Sequence, residues 1–346
     1  MAKKPLISTV TINYNGKKLL KKCLRSIFKE KGNYEVVLID NGSTDNSLAE
    51  VRKEFRGKEN LEIYRLEKNI GPAAARNLGV KKSRGKYTLI LDNDTIIHPG
   101  WFKKIPTFFK RHPQAGLVQP KLLTMGTNKY NYAGDYLTRY GFLAERAQSS
   151  IDKGQFDDPA KIFSYNTASV YFPKKLFLKL GGYDEDYFFY WEEPDLCFRA
   201  WLKNHQVWFD PAITVEHAFG QPVKEKNYQK TNRANKAAFY GCRNMLTTLI
   251  KNLSFKELLL VLPANLTIWI LLSVLFLFKG NPQKTTNILR GIFQSFKELS
   301  LTLKKRAKIQ KTRRLSEKEI FNLVGSKKQL SWYFKKALSY LLGKPF

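Results

Sequence analysis

Strand-like and helix-like segments alternate through the first hundred residues, and this alternation restricts the possible folds more than any other feature. Residues 7–13 and 34–40 are rich in β-branched and aliphatic side chains, and each is followed by a segment whose apolar residues recur at helical spacing. Residues 61–82 repeat the order, and a fourth strand-like segment, Tyr87–Leu91, follows. Strand–helix–strand units hold their strands in parallel, so the pattern predicts an α/β fold.

The rest of the chain changes character twice. Residues 100–220 are irregular and aromatic, with scattered Gly and Asp, which indicates a binding face built from loops. Residues 258–278 carry no charge, whereas residues 279–346 carry 17 Lys and Arg against 3 Asp and Glu. We therefore predict one domain in residues 1–250 and a basic helical region in residues 251–346.

The net charge is the outlier of the composition. Lys and Arg number 60 against 29 Asp and Glu, a net charge of +31. A field of that sign favours nucleic acid, an anionic membrane or phosphorylated substrates as partners. The 43% of hydrophobic residues excludes wholesale disorder. Three scattered cysteines argue against a disulfide framework or a zinc site and fit a reducing compartment.

Two acidic turns follow predicted strands. Asp40 opens the first turn, and Asp92 and Asp94 follow the fourth strand. Ligands of open α/β sheets bind outside the carboxyl ends of the strands, so Asp40 could accept hydrogen bonds from a base or ribose. In an extended segment, Asp92 and Asp94 would point the same way and suit Mg²⁺ or Mn²⁺ bridging a diphosphate. The alternative in each case is an ordinary turn that caps a helix.

Two further residues are candidates for chemistry. Glu193 precedes Pro194, and proline favours the first turn of a helix, so Glu193 is predicted at a helix N-terminus, where the dipole favours its ionised form. Such a carboxylate can act as a general base, although acidic first turns are also common without that role. His217 ends a strand-like segment, and a lone histidine there is more often structural than a ligand.

The motifs occur together in an order that resembles family 2 glycosyltransferases. The resemblance covers about residues 5–250, and the chain is most similar to the rhamnosyltransferase-like bacterial and archaeal members. The segments that carry it are Thr11–Asn15, Asp40–Asp45, Lys68–Gly79, Leu91–Thr95, Gly181–Glu185, Trp191–Leu196 and His217. Each segment alone is a weak indicator of the family, whereas all seven in the same order are a specific one.

The resemblance implies a GT-A fold, in which a Rossmann-like, mostly parallel sheet is flanked by helices. It also implies an inverting transfer of sugar from a nucleoside diphosphate donor, assisted by Mg²⁺ or Mn²⁺. Residues 1–98 would form the nucleotide-binding half and residues 99–250 the acceptor-binding half. Arg76 and Lys68 are expected beside the departing diphosphate, whose charge needs cations. UDP or dTDP is expected as donor ahead of GDP, and a glycan or lipid-linked molecule as acceptor.

The family pattern further implies roles for residues on the donor side. Asp40 matches the position that contacts the nucleobase, and Tyr14 lies in the turn that lines the nucleotide pocket. Asp92 and Asp94 match the D-x-D motif, with Asp94 as the metal ligand. His217 matches a histidine that helps to bind metal and diphosphate in several members.

On the acceptor side, the resemblance points to the acidic helix start. Glu193 matches the second acidic residue of the family's Glu-Asp motif, which is the usual base. Because Glu stands there in place of Asp, Glu192 and Asp195 stay open as alternatives. Trp191 is expected at the acceptor.

Two other classes of function stay open. A non-catalytic nucleotide-sugar-binding relative would keep the fold without turnover, which intact Asp92, Asp94 and Glu193 argue against. A basic nucleic-acid-binding protein would use the charge, but the sequence contains no recognised nucleic-acid module. We therefore expect no nucleic-acid partner.

The uncharged segment 258–278 predicts a membrane association. It is long enough to cross about 30 Å of hydrocarbon as a helix, and a buried core helix is the alternative. Basic residues are dense on both sides, so a single span would send one basic flank across the membrane. A segment that re-enters near Pro263, or one that lies in the interface, keeps both flanks cytoplasmic.

The tail favours the interfacial arrangement. Its apolar residues form two faces mixed with basic residues: Ile288, Leu289, Ile292, Phe293, Phe296 and Leu299, then Trp332, Tyr333, Leu338, Leu341 and Leu342. Basic clusters beside apolar helices bind an anionic leaflet. We therefore expect an enzyme at the cytoplasmic face of the cell membrane.

Overall fold

The computed structural model describes residues 4–147, 150–218 and 227–326. The chain forms two compact units, residues 1–135 with 145–221 and residues 136–144 with 222–346. The boundary at residue 250 and the two halves on either side of residue 98 stay predictions. Trp332 and Tyr333, with the rest of the second apolar face of the tail, lie outside the described residues.

Thirteen strands and eleven α-helices occur in the described residues. The strands are β1 Ile7–Asn13, β2 Tyr34–Asp40, β3 Leu61–Arg65, β4 Tyr87–Asp92, β5 Thr95–Ile97, β6 Ala115–Thr124, β7 Tyr130–Tyr132, β8 Asp135–Thr138, β9 Leu143–Glu145, β10 Ala160–Lys161, β11 Ser169–Pro173, β12 Gln206–His217 and β13 Gly325–Ser326. The helices are α1 Leu20–Phe28, α2 Ser47–Glu54, α3 Pro72–Lys82, α4 Trp101–Arg111, α5 Lys174–Lys179, α6 Glu192–Leu202, α7 Asn227–Asn252, α8 Phe255–Phe278, α9 Pro282–Lys297, α10 Leu299–Lys311 and α11 Glu317–Val324; Glu185–Tyr187 is a 3₁₀ turn.

The first unit is built on a ten-stranded sheet in the order β10-β12-β6-β11-β4-β1-β2-β3, with β5 on β12 and β7 on β6. The parallel pairing of β1 with β2 and β4, and of β2 with β3, confirms the α/β prediction. The whole sheet is mixed rather than mostly parallel, because β11 enters antiparallel to both β4 and β6.

Burial explains why the parallel half forms. β1 and β2 are buried along their whole length, as expected of strands covered on both faces. α1 turns Leu20, Cys23, Leu24 and Ile27 inward at helical spacing. Each such aliphatic side chain stabilises the fold by about 1.5–3 kcal/mol on full burial. The register sets Asn13 beside Asp40, and Asp92 beside Ile12, so polar strand ends meet at one edge.

The second unit is helical, with a small sheet of β8, β9 and β13. Cys242 and Leu246 of α7 and Ile288 of α9 form its core. α8 runs unbroken through Pro263, so the break needed for a re-entrant segment is absent from this described helix. α8 is also the one described helix long and apolar enough to cross a membrane, with a mean hydropathy of 2.3 and 17% of its apolar window buried.

Candidate active site

The carboxyl ends of β1 and β2 are tied together by Asn13. Its amide nitrogen lies 2.8 Å from Asp40 Oδ1, 3.1 Å from Ser43 Oγ and 2.8 Å from Ser47 Oγ. Asp40 is 1% exposed and also accepts a 2.6 Å bond from Ser43 Oγ, so its carboxylate holds the turn. Its contact with a nucleobase stays a prediction. Asp40 Oδ2 could accept a further hydrogen bond, since among the described residues it accepts a single 3.4 Å bond from the Ser43 amide.

The turn after β2 lies directly against the loop that precedes α3. Asn41 donates a 3.0 Å bond to Asn69 Oδ1 and accepts one of 3.0 Å from the Ile70 amide. Gly42 has a φ of +77°, and a Cβ there would lie 2.6 Å from the Lys68 carbonyl carbon. Glycine fits this position because it accepts the positive φ and leaves room for the loop.

Tyr14 and Lys68, the other predicted nucleotide contacts, are open to a ligand. Tyr14 is 50% exposed and the Lys68 side chain is exposed. Next to Tyr14, Asn15 accepts a 2.8 Å hydrogen bond from the Thr44 amide, which holds the loops after β1 and β2 together. A nucleotide at this strand edge would therefore meet an aromatic ring and an ammonium group on fixed loops.

Arg76 joins the two acidic motifs. Its Nη2 donates bonds of 2.8 and 3.2 Å to the Asp92 carboxylate, and its Nη1 lies 3.4 Å from Glu192 Oε1. Burial lowers the pKa of Arg76, but Asp92, Tyr183 and Glu192 outweigh it, and the pKa is raised above the ordinary value. The guanidinium is 5% exposed and permanently charged between the end of β4 and the start of α6. Its contact with a diphosphate stays a prediction.

The two D-x-D carboxylates have different partners. β4 ends at Asp92, and Asn93 and Asp94 form a turn, so the extended geometry predicted for this segment is wrong. Asp92 is held by Arg76, whereas Asp94 Oδ1 lies 3.4 Å from His217 Nε2 at the end of β12. The turn thus brings Asp94 together with His217 and leaves Asp92 in an ion pair.

Asn131 of β7 orients His217. Its Oδ1 lies 2.9 Å from His217 Nδ1. An amide oxygen can only accept, so Nδ1 donates this bond and Nε2 faces Asp94. Metal-binding histidines are commonly oriented in this way.

The donor set at this point fits a divalent cation. A carboxylate and an imidazole suit Mn²⁺ or Mg²⁺ when substrate phosphates and water complete the coordination. The described residues hold no group of three or more His, Cys, Asp and Glu that could bind a metal without such help. Asp94 and His217 would therefore hold the cation together with the donor.

Three acidic residues at the start of α6 lie in different environments. Asp195 is fully buried, and its Oδ2 accepts 2.9 Å bonds from two nitrogens of Arg199. Glu192 is 3% exposed and faces Arg76. Glu193 keeps a partly exposed side chain. Of the three, Glu193 is the most exposed.

Thr167 holds Glu193 in place. Its Oγ1 donates a 2.9 Å bond to Glu193 Oε1, and its amide lies 3.4 Å from the same oxygen. Burial raises the pKa of Glu193, against the charge of Arg76 and the bonds from Thr167. Burial also raises the pKa of Glu192, and repulsion from Glu193 adds to it. A raised pKa suits a base that works near neutral pH.

The segment before α6 is strained. Phe188, Tyr190 and Trp191 have φ values of 47°, 66° and 69°, although none is glycine. Each such residue costs about 1–3 kcal/mol and persists where the surrounding structure enforces it, which is frequent at active sites. Trp191, the expected acceptor contact, is the N-cap residue of α6. The strain therefore lies immediately beside the candidate base.

Asn13, Asn131 and Thr167 are functional candidates that the sequence analysis missed. A signal existed for Asn13, an amide side chain at the end of a strand rich in Ile, Val and Thr, and Asn13 is fully buried. The other two lie in the irregular middle of the chain. Their partners are 86 residues from Asn131 and 26 residues from Thr167, so no local pattern marks them.

Comparison with known proteins finds similarity to glycosyltransferases. Residues 8–171, just under half of the chain, match the model of glycosyl transferase family 2. Poly(ribitol-phosphate) beta-N-acetylglucosaminyltransferase TarS of Staphylococcus aureus is 35% identical over 109 residues, which are 30% of this chain and 19% of TarS. The chain thus matches about a fifth of the length of that relative.

Solved structures agree on the fold. The crystal structure of S. aureus TarS 1–349 matches 98% of this chain and 92% of its own chain, with a TM-score of 0.52 at 17% identity. The structure of GalNAc-T7 with UDP, GalNAc and Mn²⁺ matches 70% of this chain and 51% of its own, with a TM-score of 0.53 at 18% identity. The fold is therefore GT-A-like, as predicted. The likeness to the rhamnosyltransferase-like group stays a prediction.

Proposed function

We propose that this chain transfers a sugar from a nucleoside diphosphate donor to a hydroxyl group of a glycan or lipid-linked acceptor, with inversion at the sugar carbon. The observation that carries the proposal is the position of Arg76. Its guanidinium contacts Asp92 of the D-x-D motif and Glu192 of the acidic helix start, so the donor and base motifs lie side by side.

The donor side is supported by the loops at the strand ends. Tyr14, Asp40 and Lys68 surround the edge where β1 and β2 end, which is where nucleotides bind in open α/β sheets. We propose UDP as the first candidate base, with dTDP next and GDP last. UDP comes first because GalNAc-T7, which has a similar fold, was solved with UDP.

The proposed chemistry is a single displacement. The acceptor oxygen forms a bond to the anomeric carbon as the bond from that carbon to the diphosphate oxygen breaks. Glu193 Oε2 takes the acceptor proton, because Oε1 is occupied by Thr167. The electron pair leaves with the nucleoside diphosphate, so no covalent sugar–enzyme intermediate is needed. Glu192 stays paired with Arg76, and Asp195 with Arg199.

Asp94 and His217 are the proposed ligands of Mg²⁺ or Mn²⁺. When bound, the cation supplies positive charge that stabilises the departing diphosphate. Asn131 keeps the His217 ring in one orientation. The exposed ammonium group of Lys68 adds charge at the same strand edge.

We further propose that the chain works at the cytoplasmic face of the cell membrane, on a lipid-linked or membrane-proximal acceptor. The support is the second unit, where α8 exposes apolar side chains and residues 279–326 carry 12 Lys and Arg against 3 Glu. Anionic lipid headgroups attract such clusters.

A donor screen tests the catalytic proposal. Full-length protein is incubated with UDP-, dTDP- and GDP-sugars, with Mn²⁺ or Mg²⁺, and release of the nucleoside diphosphate is measured. We expect release with UDP- or dTDP-sugars, its loss with EDTA, and its loss in Asp94→Ala. No release with any donor would contradict transferase activity, and release unaffected by EDTA would contradict the metal site.

A further inference from the structure

The outward face of α8 is apolar as well as its inward face, where Leu262, Leu266 and Trp269 pack against the core. Asn265 and Ser273 point inward at 0% and 3% exposure, and Asn265 donates a 2.9 Å bond to the Tyr140 carbonyl. Leu260 and Leu277 point outward at 62% and 54% exposure. A surface helix in water instead carries polar side chains on its outward face. The outward side of α8 therefore needs an apolar neighbour.

α9 extends the exposed apolar surface. It packs against α8, and Thr285 Oγ1 donates a 2.7 Å bond to the Ser273 carbonyl. Contrary to the sequence prediction, Ile288 is buried, while Phe293 is 68% exposed. We call the following exposed residues the apolar face: Leu259, Leu260, Ile270, Leu271, Val274, Leu277 and Phe278 of α8, and Leu289, Phe293 and Phe296 of α9.

The neighbours of α8 argue against a span. α9 follows α8 after the three residues 279–281 and packs back along it, and it carries exposed Arg290 and Lys297. α7, which also packs against α8, carries Arg243, which forms an ion pair with Glu298. If α8 crossed the bilayer, its packed neighbours would bring these charges towards hydrocarbon, which strongly disfavours them.

We propose that the apolar face docks α8 and α9 flat into the interface of an anionic bilayer. The apolar side chains enter the acyl boundary, while Arg290, Lys297 and the basic residues of α10 meet headgroup phosphates. Interfacial helices combine an apolar face with Lys and Arg in this way. The inference specifies how the proposed membrane location is achieved, and it does not depend on the catalytic proposal.

Vesicle sedimentation tests the docking with full-length protein. We expect binding to phosphatidylglycerol vesicles and weaker binding to phosphatidylcholine vesicles. Phe293→Glu should lower binding to both by about tenfold or more, since a buried Phe is lost. Arg290→Gln should lower binding to the anionic vesicles alone, by about fivefold.

Leu178→Glu is the matched control. Leu178 is an exposed apolar residue of α5 in the other unit, at 44% exposure, so binding should be unchanged. Equal loss in Leu178→Glu and Phe293→Glu, or no binding by the parent protein, would overturn the proposal. Circular dichroism checks that each variant is folded, and nucleotide release in solution shows separately whether catalysis survives.

Depth measurements separate a flat helix from a spanning one. The described cysteines Cys23, Cys197 and Cys242 are buried, so a fluorophore can be placed selectively in Leu260→Cys, Ile270→Cys and Phe278→Cys. Lipids brominated at different chain positions then report depth. We expect one similar, shallow depth for the three labels. A label at residue 270 near the bilayer centre, with 260 and 278 shallow, would overturn the flat arrangement in favour of a span.

Self-association is the remaining outcome that would count against lipid. A stable oligomer without lipid, dissociated by Phe293→Glu and with its labels shielded from water, would show that a second copy covers the apolar face. Light scattering of the detergent-free protein makes this measurement.

Discussion

Arg76 Nη2 donates hydrogen bonds to both carboxylate oxygens of Asp92, at 2.8 and 3.2 Å. The first carboxylate of the D-x-D motif is thus neutralised by a cation of the protein itself. Nη1 of the same guanidinium lies 3.4 Å from Glu192 Oε1, so Arg76 links the end of β4 to the start of α6. Asp94, which lies beside His217, is the proposed metal ligand.

The base assignment predicts a steep contrast between neighbouring glutamates. Glu193→Gln keeps the shape but cannot take a proton, so the rate should fall by about 10²–10⁴-fold while donor affinity changes little. Glu192→Gln should keep most activity, because burial already raises the pKa of Glu192 and favours its neutral form. Single-turnover kinetics and donor titration of both variants make the comparison. The reverse ranking would move the role to Glu192.

The bond from Thr167 predicts a shift in the pH profile. This bond lowers the pKa of Glu193 against the effect of burial. Its removal in Thr167→Ala should raise that pKa, and because the base works deprotonated, the acidic limb of the activity profile should move to higher pH. Thr167→Ser keeps the hydroxyl group and should restore the parent profile. A uniform loss of rate at every pH would indicate a structural role alone.

The parallel half of the fold could be predicted because local patterns decide it. The strands over residues 7–13 and 34–40 are confirmed at their predicted bounds, because aliphatic and β-branched side chains mark strands that are buried on both faces. The strand–helix order predicted for residues 61–82 is confirmed by β3 and α3. The antiparallel entry of β11 between β4 and β6 could not be predicted, because strand order depends on contacts between residues distant in the chain.

The candidate site divides in the same way. Its acidic residues are visible in the sequence, but their environments are not. Glu193 and Asp195 differ in exposure: Asp195 forms an ion pair with Arg199, one helical turn later, and is fully buried. The ring orientation of His217 comes from Asn131 on another strand. Burial and long-range pairing therefore separate residues that look equivalent in the sequence.

The orientation of His217 predicts that Asn131 affects metal affinity without touching the metal. Asn131→Ala removes the acceptor of the Nδ1 proton, and loss of such a partner typically lowers metal affinity or activity by about 10–100-fold. Asn131→Asp keeps a hydrogen-bond acceptor for Nδ1 and should recover much of the metal affinity. Mn²⁺ titration by calorimetry, with donor present, measures the effect. His98→Gln, an exposed histidine paired with Glu216, is the control and should bind Mn²⁺ normally.

Gly42 predicts a sharp stability difference between two glycines of similar backbone conformation. Gly42 and Gly57 have φ values of +77° and +82°, but a Cβ at Gly57 meets nothing within 4 Å. Gly57→Ala should therefore lower the free energy of unfolding only by the left-handed backbone penalty, about 1–2 kcal/mol. Gly42→Ala should lower the free energy of unfolding further, because its Cβ would lie 2.6 Å from the Lys68 backbone. Nucleotide binding by this variant should also weaken. Thermal unfolding and UDP titration of both variants test this, and equal effects would contradict it.

The stability of the second unit is predicted to depend on pH through Glu317. Its carboxylate accepts 2.8 Å bonds from two Arg313 nitrogens and a further bond from the Ser254 amide at the start of α8. Burial raises the pKa of Glu317, but these bonds outweigh it and the pKa is lowered. A lowered folded-state pKa gives a contribution that is complete above the unfolded value and lost as pH falls through the folded one.

Glu317→Gln should therefore destabilise the protein by about 1.5–3 kcal/mol at neutral pH, as hydrogen bonds to a charged group are lost. The gap between variant and parent should shrink at acidic pH, where the parent's carboxylate is protonated. Urea unfolding, followed by circular dichroism at neutral and at acidic pH, measures this difference in stability. Glu319→Gln removes the same charge from an exposed carboxylate that caps α11 through Ser316, and it should have a smaller effect. A gap for Glu317→Gln that stays constant with pH would mean that the ion pair with Arg313 does not stabilise this unit.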